Sequence, residues 1–179
     1  INNKSPLTGT ESTNGAFAEF ELGWNGYTGA GARLDYMFID HLSLNGGLGI
    51  GFWGWRLSGA LRYYPMNQYG LAFSLGVAHN IGGEFEEKVE VQDSTGLSYN
   101  RKIDVEYKPV TTLNASILYS WQVFGRNKIY IEAGYSYAIQ KDKYDIEEGY
   151  RLSDESKDEM DMMSPGGVML TIGCAFSLD

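Results

Sequence analysis

The sequence predicts an all-β chain: an eight-stranded antiparallel up-and-down transmembrane β-barrel with short periplasmic turns and two long extracellular loops. Three observations predict it. About eight runs of roughly 9–12 residues alternate large apolar side chains with small or polar ones, the length a tilted strand needs to cross a bilayer. The second face of those runs is mostly Gly, Ala and Ser. Connections between runs are alternately short and long.

Composition agrees. The 179 residues carry 23 Gly against 4 Pro, with 14% aromatic residues, a balance suited to close-packed strands ringed by Tyr and Trp. The net charge of -9 gives no electrostatic case for nucleic acid. The single cysteine, Cys174, makes no intrachain disulfide and no Cys-based metal site. The chain starts at Ile1, which reads as a mature or trimmed form. Residues Ile1 to Asn14, rich in Asn, Ser and Thr without periodicity, read as a flexible periplasmic tail; 15–179 form the barrel domain.

The first run, Gly15 to Trp24, sets Ala18, Phe20, Leu22 and Trp24 against Phe17, Glu19, Glu21 and Gly23. Asn25-Gly26 is a two-residue hairpin signal. The second, Tyr27 to Phe38, sets Leu34, Tyr36 and Phe38 against Gly29, Gly31, Arg33 and Asp35, and Asp40-His41 turns it. The third, Leu42 to Phe52, opposes Leu44, Leu48, Ile50 and Phe52 to Ser43, Asn45, Gly47, Gly49 and Gly51. The fourth, Trp55 to Tyr64, opposes Leu57, Leu61 and Tyr63 to Arg56, Ser58, Ala60 and Arg62, and Pro65 ends it because proline cannot donate to a ladder. The fifth is Tyr69 to His79, followed by a polar excursion from about Asn80 to Pro109. The sixth is Val110 to Val123 and the seventh Lys128 to Gln140, joined at Gly125-Arg126-Asn127. A second excursion, about Lys141 to Pro165, leads to the eighth run, Gly166 to Phe176.

Alternation alone also fits a soluble sandwich or a lipocalin. The smaller face decides. Against water it would carry Lys, Glu, Thr and Arg; a tightly closed small barrel needs small residues inside. The large apolar face then meets lipid. Aromatics at the run ends fit a double girdle: Trp24, Tyr27, Trp53, Trp55 and Tyr137 at one rim, and Tyr36, Phe38, Tyr63, Tyr64, Tyr69, Trp121, Tyr130 and Phe176 at the other.

Three segments carry a resemblance: Gly46-Gly47-Leu48-Gly49-Ile50-Gly51-Phe52, Leu61-Arg62-Tyr63-Tyr64-Pro65 and Gly173-Cys174-Ala175-Phe176. Over about Gly15 to Phe176 the chain resembles the small outer-membrane barrels of the OmpA and OmpX type. It is similar in particular to the porin-like barrel domains common in Bacteroidetes-type bacteria. A typical member ends on the aromatic residue, whereas this chain adds Ser177-Leu178-Asp179. The resemblance implies the outer membrane of a Gram-negative cell, with outer-membrane lipid and lipopolysaccharide as surroundings. It implies no single activity.

Glu19, Glu21, Arg33, Asp35, Arg56, Arg62 and Glu132 fall on the inward face. They should pair there, because an unpaired buried charge is costly, and a barrel of this size is filled by its side chains. That predicts a polar plug, with a narrow ion path as the alternative. His79 lies near the outer rim, but His79-Asn80-Ile81 lacks the serine two residues on that a lipid A deacylase pattern requires. The expectation is a non-enzyme with no cofactor and no metal.

In the first excursion Phe85, Val89 and Val91, then Ile103, Val105 and Tyr107, alternate with charges around an Asp93-Ser94-Thr95-Gly96 turn. This predicts that the fifth and sixth strands continue as a hairpin whose edge can pair with a partner chain. The second excursion reads as a solvated acidic loop, with Met160 and Met162 available to pack on a partner or on the rim. The expected role is structural or binding: a barrel, not a wide pore, that displays these loops for protein or surface interaction. The alternative is an accessory subunit of an outer-membrane secretion, assembly or uptake complex. A lipid A-modifying enzyme and a narrow pore are the remaining readings.

Overall fold

The computed structural model describes residues 15–66, 68–92, 98–146 and 151–178. Twelve strands and one helix follow in chain order: β1 Gly15–Trp24, β2 Ala30–Ile39, β3 Leu42–Gly51, β4 Gly54–Tyr63, β5 Gly70–Asn80, β6 Gly83–Gln92, β7 Ser98–Tyr107, β8 Val110–Gln122, β9 Lys128–Ala138, β10 Tyr144–Ile146, β11 Arg151–Leu152, α1 Asp154–Met163 and β12 Gly167–Ser177.

Eight of the strands close into an antiparallel barrel in the order β1-β12-β9-β8-β5-β4-β3-β2. Each barrel strand pairs with the next along the chain, and β12 pairs back onto β1, so no barrel edge is left open. The predicted alternation sets the register. On β8, Thr112, Asn114, Ser116 and Ser120 point in while Leu113, Ile117, Tyr119 and Trp121 point out. Leu118 breaks the polar rule and sits inside.

Connections at one end are short: Asp40–His41 between β2 and β3, 64–69 between β4 and β5, and 123–127 between β8 and β9. Both described chain ends also lie there; this is the turn end. At the opposite, loop end the two long excursions emerge. They form a second, four-stranded sheet in the order β10-β7-β6-β11. The fifth and sixth barrel strands do not simply run on into that hairpin. Gly82, with φ of 80°, breaks the path between β5 and β6, and a side chain there would collide with the backbone at Tyr107 and Lys108.

The acidic excursion corrects the expectation of a loop. Part of it pairs with both sides of the hairpin, β10 on β7 and β11 on β6. Another part is the helix α1. Ser153 caps it, its hydroxyl accepting from the Ser156 amide at 3.2 Å. Ser156, Met160 and Ser164 recur at helical spacing and are buried.

Candidate functional site

The barrel lumen is filled by charge. Arg33 lies at its centre: its Nη2 is 3.2 Å from Glu19 Oε2, 2.9 Å from Glu21 Oε2 and 3.1 Å from Glu132 Oε2. Arg62 Nη1 continues the chain to Glu19 Oε1 at 2.9 Å and Asp35 Oδ2 at 3.5 Å. Neutral donors hold the remaining carboxylate oxygens. Ser116 donates to Glu132 at 2.6 Å, Ser43 to Asp35 at 2.7 Å, and Thr28, through its amide and hydroxyl, to Glu21 at 2.8 and 2.5 Å. Tyr130 donates to Glu21 at 3.3 Å, and its hydroxyl accepts from Arg33 at 3.1 Å. A buried ionic network of this kind tolerates no missing member, because each remaining charge would lose its compensation.

The glycines of β3 make that packing possible. A Cβ on Gly47 would run into the Arg33 stem and the Thr28 methyl, and one on Gly49 would meet Thr28 Cβ at 2.8 Å. Small residues facing inward therefore match large ones reaching across from β2 and the turn before it.

All seven predicted inward charges are buried, but Arg56 stands apart from the network. Its only described polar partners are the Asn25 carbonyl and the Thr112 hydroxyl, both at 3.4 Å. One cation was missed by the sequence reading. Lys128, at the start of β9, is buried with its Nζ 4.0 Å from the Phe17 ring centroid and 5.2 Å from that of Tyr64. Its inward parity along the seventh run was the available clue.

On the outer surface Trp24, Trp55, Tyr63, Trp121 and Phe176 are exposed and Tyr69 is half-buried. Four predicted girdle residues are not there: Tyr64 and Tyr130 are buried in the lumen, their hydroxyls accepting from Arg62 and Arg33, and Tyr27 and Trp53 are buried too. Tyr27 is fully buried in the lumen beside Ala60 and Met169, with the Arg33 guanidinium 5.2 Å over its ring. The turn between β1 and β2 is not a two-residue hairpin. It spans residues 25–29, closes through Gly23 N to Gly29 O at 2.9 Å, and folds inward, so strand parity does not reach Tyr27. Trp53 leaves the girdle for another reason. It sits in the β3–β4 turn and turns over the barrel mouth, 4.5 Å from the Tyr107 ring and 6.1 Å from that of Tyr144.

That contact changes the reading of the excursions. Val105, Tyr107 and Met160, expected as display residues, are buried with Trp53 and Val110 in one apolar cluster that seats the upper sheet and α1 on the barrel. Met162 is exposed. The side chains of Phe85, Val89, Val91 and Ile103, and the Asp93–Gly96 turn of the hairpin, lie outside the described residues, as does the tail 1–14.

Polar links reinforce the seat. Lys108 Nζ pairs with Asp145 Oδ2 at 2.7 Å, and this hydrogen bond holds the ammonium above its ordinary pKa. Lys143 Nζ donates to Ser164 Oγ at 2.7 Å; burial lowers its pKa and Asp161 opposes the shift. Burial, then Asp161, raises the Tyr144 phenol.

The two histidines have structural neighbours. His41, at φ of 75°, has its ring 2.9 Å from the Tyr64 carbonyl and ties the β2–β3 turn to the end of β4. His79 is exposed on the outer surface, 3.0 Å from Thr111 Oγ1. Among the described residues no group of three or more His, Cys, Asp or Glu is placed to hold a metal.

The chain matches no protein-family model and no curated protein.

Proposed function

We propose that this chain is a bacterial outer-membrane β-barrel of the small OmpA/OmpX-like type. In this reading it anchors and displays the loop-end module for protein or surface interaction. One observation carries the reading: the barrel is inverted relative to a soluble protein. Ion pairs fill its interior, while Leu34, Leu48, Leu61, Leu75, Ile117 and Ile172 are each about half or more exposed on the outside. Isolated apolar patches on soluble monomers reach about 300–600 Å². Here the apolar surface recurs on strand after strand, which suits lipid as the solvent. Exposed aromatics flank the aliphatic band, with Trp24 and Trp55 towards the loop end and Tyr36, Tyr63 and Trp121 towards the turn end.

Short turns and chain termini in the periplasm, with the long excursions outside the cell, is the orientation that this asymmetry favours. The ion-paired plug argues against a wide pore, and no catalytic role is assigned. Fractionation of native membranes tests the reading. The protein should leave with the outer membrane, migrate anomalously unless boiled, and lose its loop-end module when intact cells are treated with protease. Recovery in the soluble fraction would rule it out.

A second reading, an accessory subunit of a larger outer-membrane machine, rests on the upper sheet. β10 covers only Val105 to Tyr107 of β7. The rest of that edge has no strand partner among the described residues, and such an edge accepts another chain. Gentle-detergent purification with mass spectrometry separates the two: a stoichiometric companion supports the subunit, a lone barrel the free-standing protein.

A further inference from the structure

We propose that the loop-end mouth of the barrel holds a binding site for a small oxyanion, a carboxylate or phosphate group, with Arg56 as its recognition residue. Arg56 sits near the loop end of β4, only 3% exposed. The lumen's other arginines each meet two or more carboxylates, whereas Arg56 has no carboxylate within ion-pair distance among the described residues. Its Nε has no hydrogen-bond partner, and both bonds of Nη2 are long. A buried guanidinium left in this state has lost its hydration without replacement, and its planar fork matches an oxyanion.

The surroundings form a receptacle. Arg56 lines an open cavity at the mouth together with Asn25, Gly51, Asn80 and Glu132, and the same space runs out over the outward-facing Ile117 and Ile172. Asn80 is directly opposite Arg56 across the β4–β5 ladder and is 1% exposed. Space is kept open by Gly51: a Cβ there would have only Asn80 Oδ1 near it, at 3.8 Å. The rim is fixed by Asn25, which donates to the Gly166 carbonyl at 2.6 Å and so ties the β1–β2 turn to the start of β12. Nearby Glu21 and Glu132 are held by Arg33, Thr28 and Ser116 and do not reach Arg56 at ion-pair distance. An incoming anion would therefore meet the Arg56 guanidinium directly, with no carboxylate of the described residues already in contact with it.

The test uses the full chain in detergent micelles, titrated with inorganic phosphate and, separately, acetate at constant ionic strength set with sodium chloride. Amide resonances of Gly29 and Gly51 and the Trp53 indole report the site. Saturable shifts with either anion support the proposal, and the anion that saturates identifies the ligand chemistry. Arg56→Gln should raise the dissociation constant by at least about tenfold, the loss of one charge-assisted hydrogen bond. Gly51→Val keeps Arg56 but fills the receptacle and should weaken binding similarly, so the test survives if Arg56→Gln does not fold. Linear, unsaturable shifts in the native chain would overturn the proposal. So would saturation undiminished in a folded variant of either kind.

Discussion

At the scale of single residues, Arg33 and Arg56 are chemically identical and energetically opposite. Arg33 makes ion pairs with three buried carboxylates at once. Arg33→Gln strands them, and a loss of about 3–5 kcal/mol is expected from urea unfolding in lipid or detergent. Arg56→Gln removes no ion partner and should cost distinctly less in the same measurement. Lys143 supplies a pH prediction. Burial lowers its folded-state pKa, so between that value and the unfolded one the unfolded chain holds more protons. Its contribution to stability therefore grows as pH rises through the window below about 10.4. Asp161→Asn removes the opposing charge: a nitrogen-detected titration should find Lys143 lowered further and Tyr144 brought back towards its ordinary value. Strand parity made the seven inward charges legible in the sequence. It did not reach Tyr27 or Trp53, because both lie in turns where the backbone leaves the two-residue repeat.

At the scale of elements, the barrel strands were readable because each carries a full period-two pattern of its own. The upper sheet was readable only in part. β10 and β11 are three and two residues long and are held by pairing with β7 and β6 rather than by any pattern in themselves. The helix α1 did leave a sequence mark: Ser153 before Asp154 and Glu155, then Met160 four residues after Ser156. Its many carboxylates hid that mark by resembling a solvated loop. Ser153→Ala should cost about 1 kcal/mol of local helix stability, measured by hydrogen exchange at α1. Trp53→Ala removes the ring against which Tyr107 and Tyr144 pack. The upper sheet should then become protease-sensitive while the barrel stays resistant. Equal resistance of both parts in that variant would mean that the cluster does not seat the module.

For the whole molecule, two adjoining bodies share one chain: a closed barrel with its polarity turned inside out, and a small sheet with a helix standing on one mouth. Glu19, Glu21, Asp35 and Glu132 are packed with Arg33, Arg62 and Lys128 through the middle of the barrel, below Arg56 at the mouth, so the middle of the lumen is filled. Single-channel recordings should accordingly show no stable conductance of porin size. The central claim is that the outer face meets lipid, and spin-label scanning of β8 tests it most directly. Labels are placed one at a time at positions 111–121, in a Cys174→Ala background, in reconstituted bilayers. The account predicts that oxygen collides strongly with labels at Leu113, Ala115, Ile117 and Tyr119 and weakly at Thr112, Asn114 and Ser116, with a water-soluble nickel reagent excluded from the middle outward positions. If the nickel reagent reaches all the outward positions equally, the apolar face is not in lipid and the membrane reading fails.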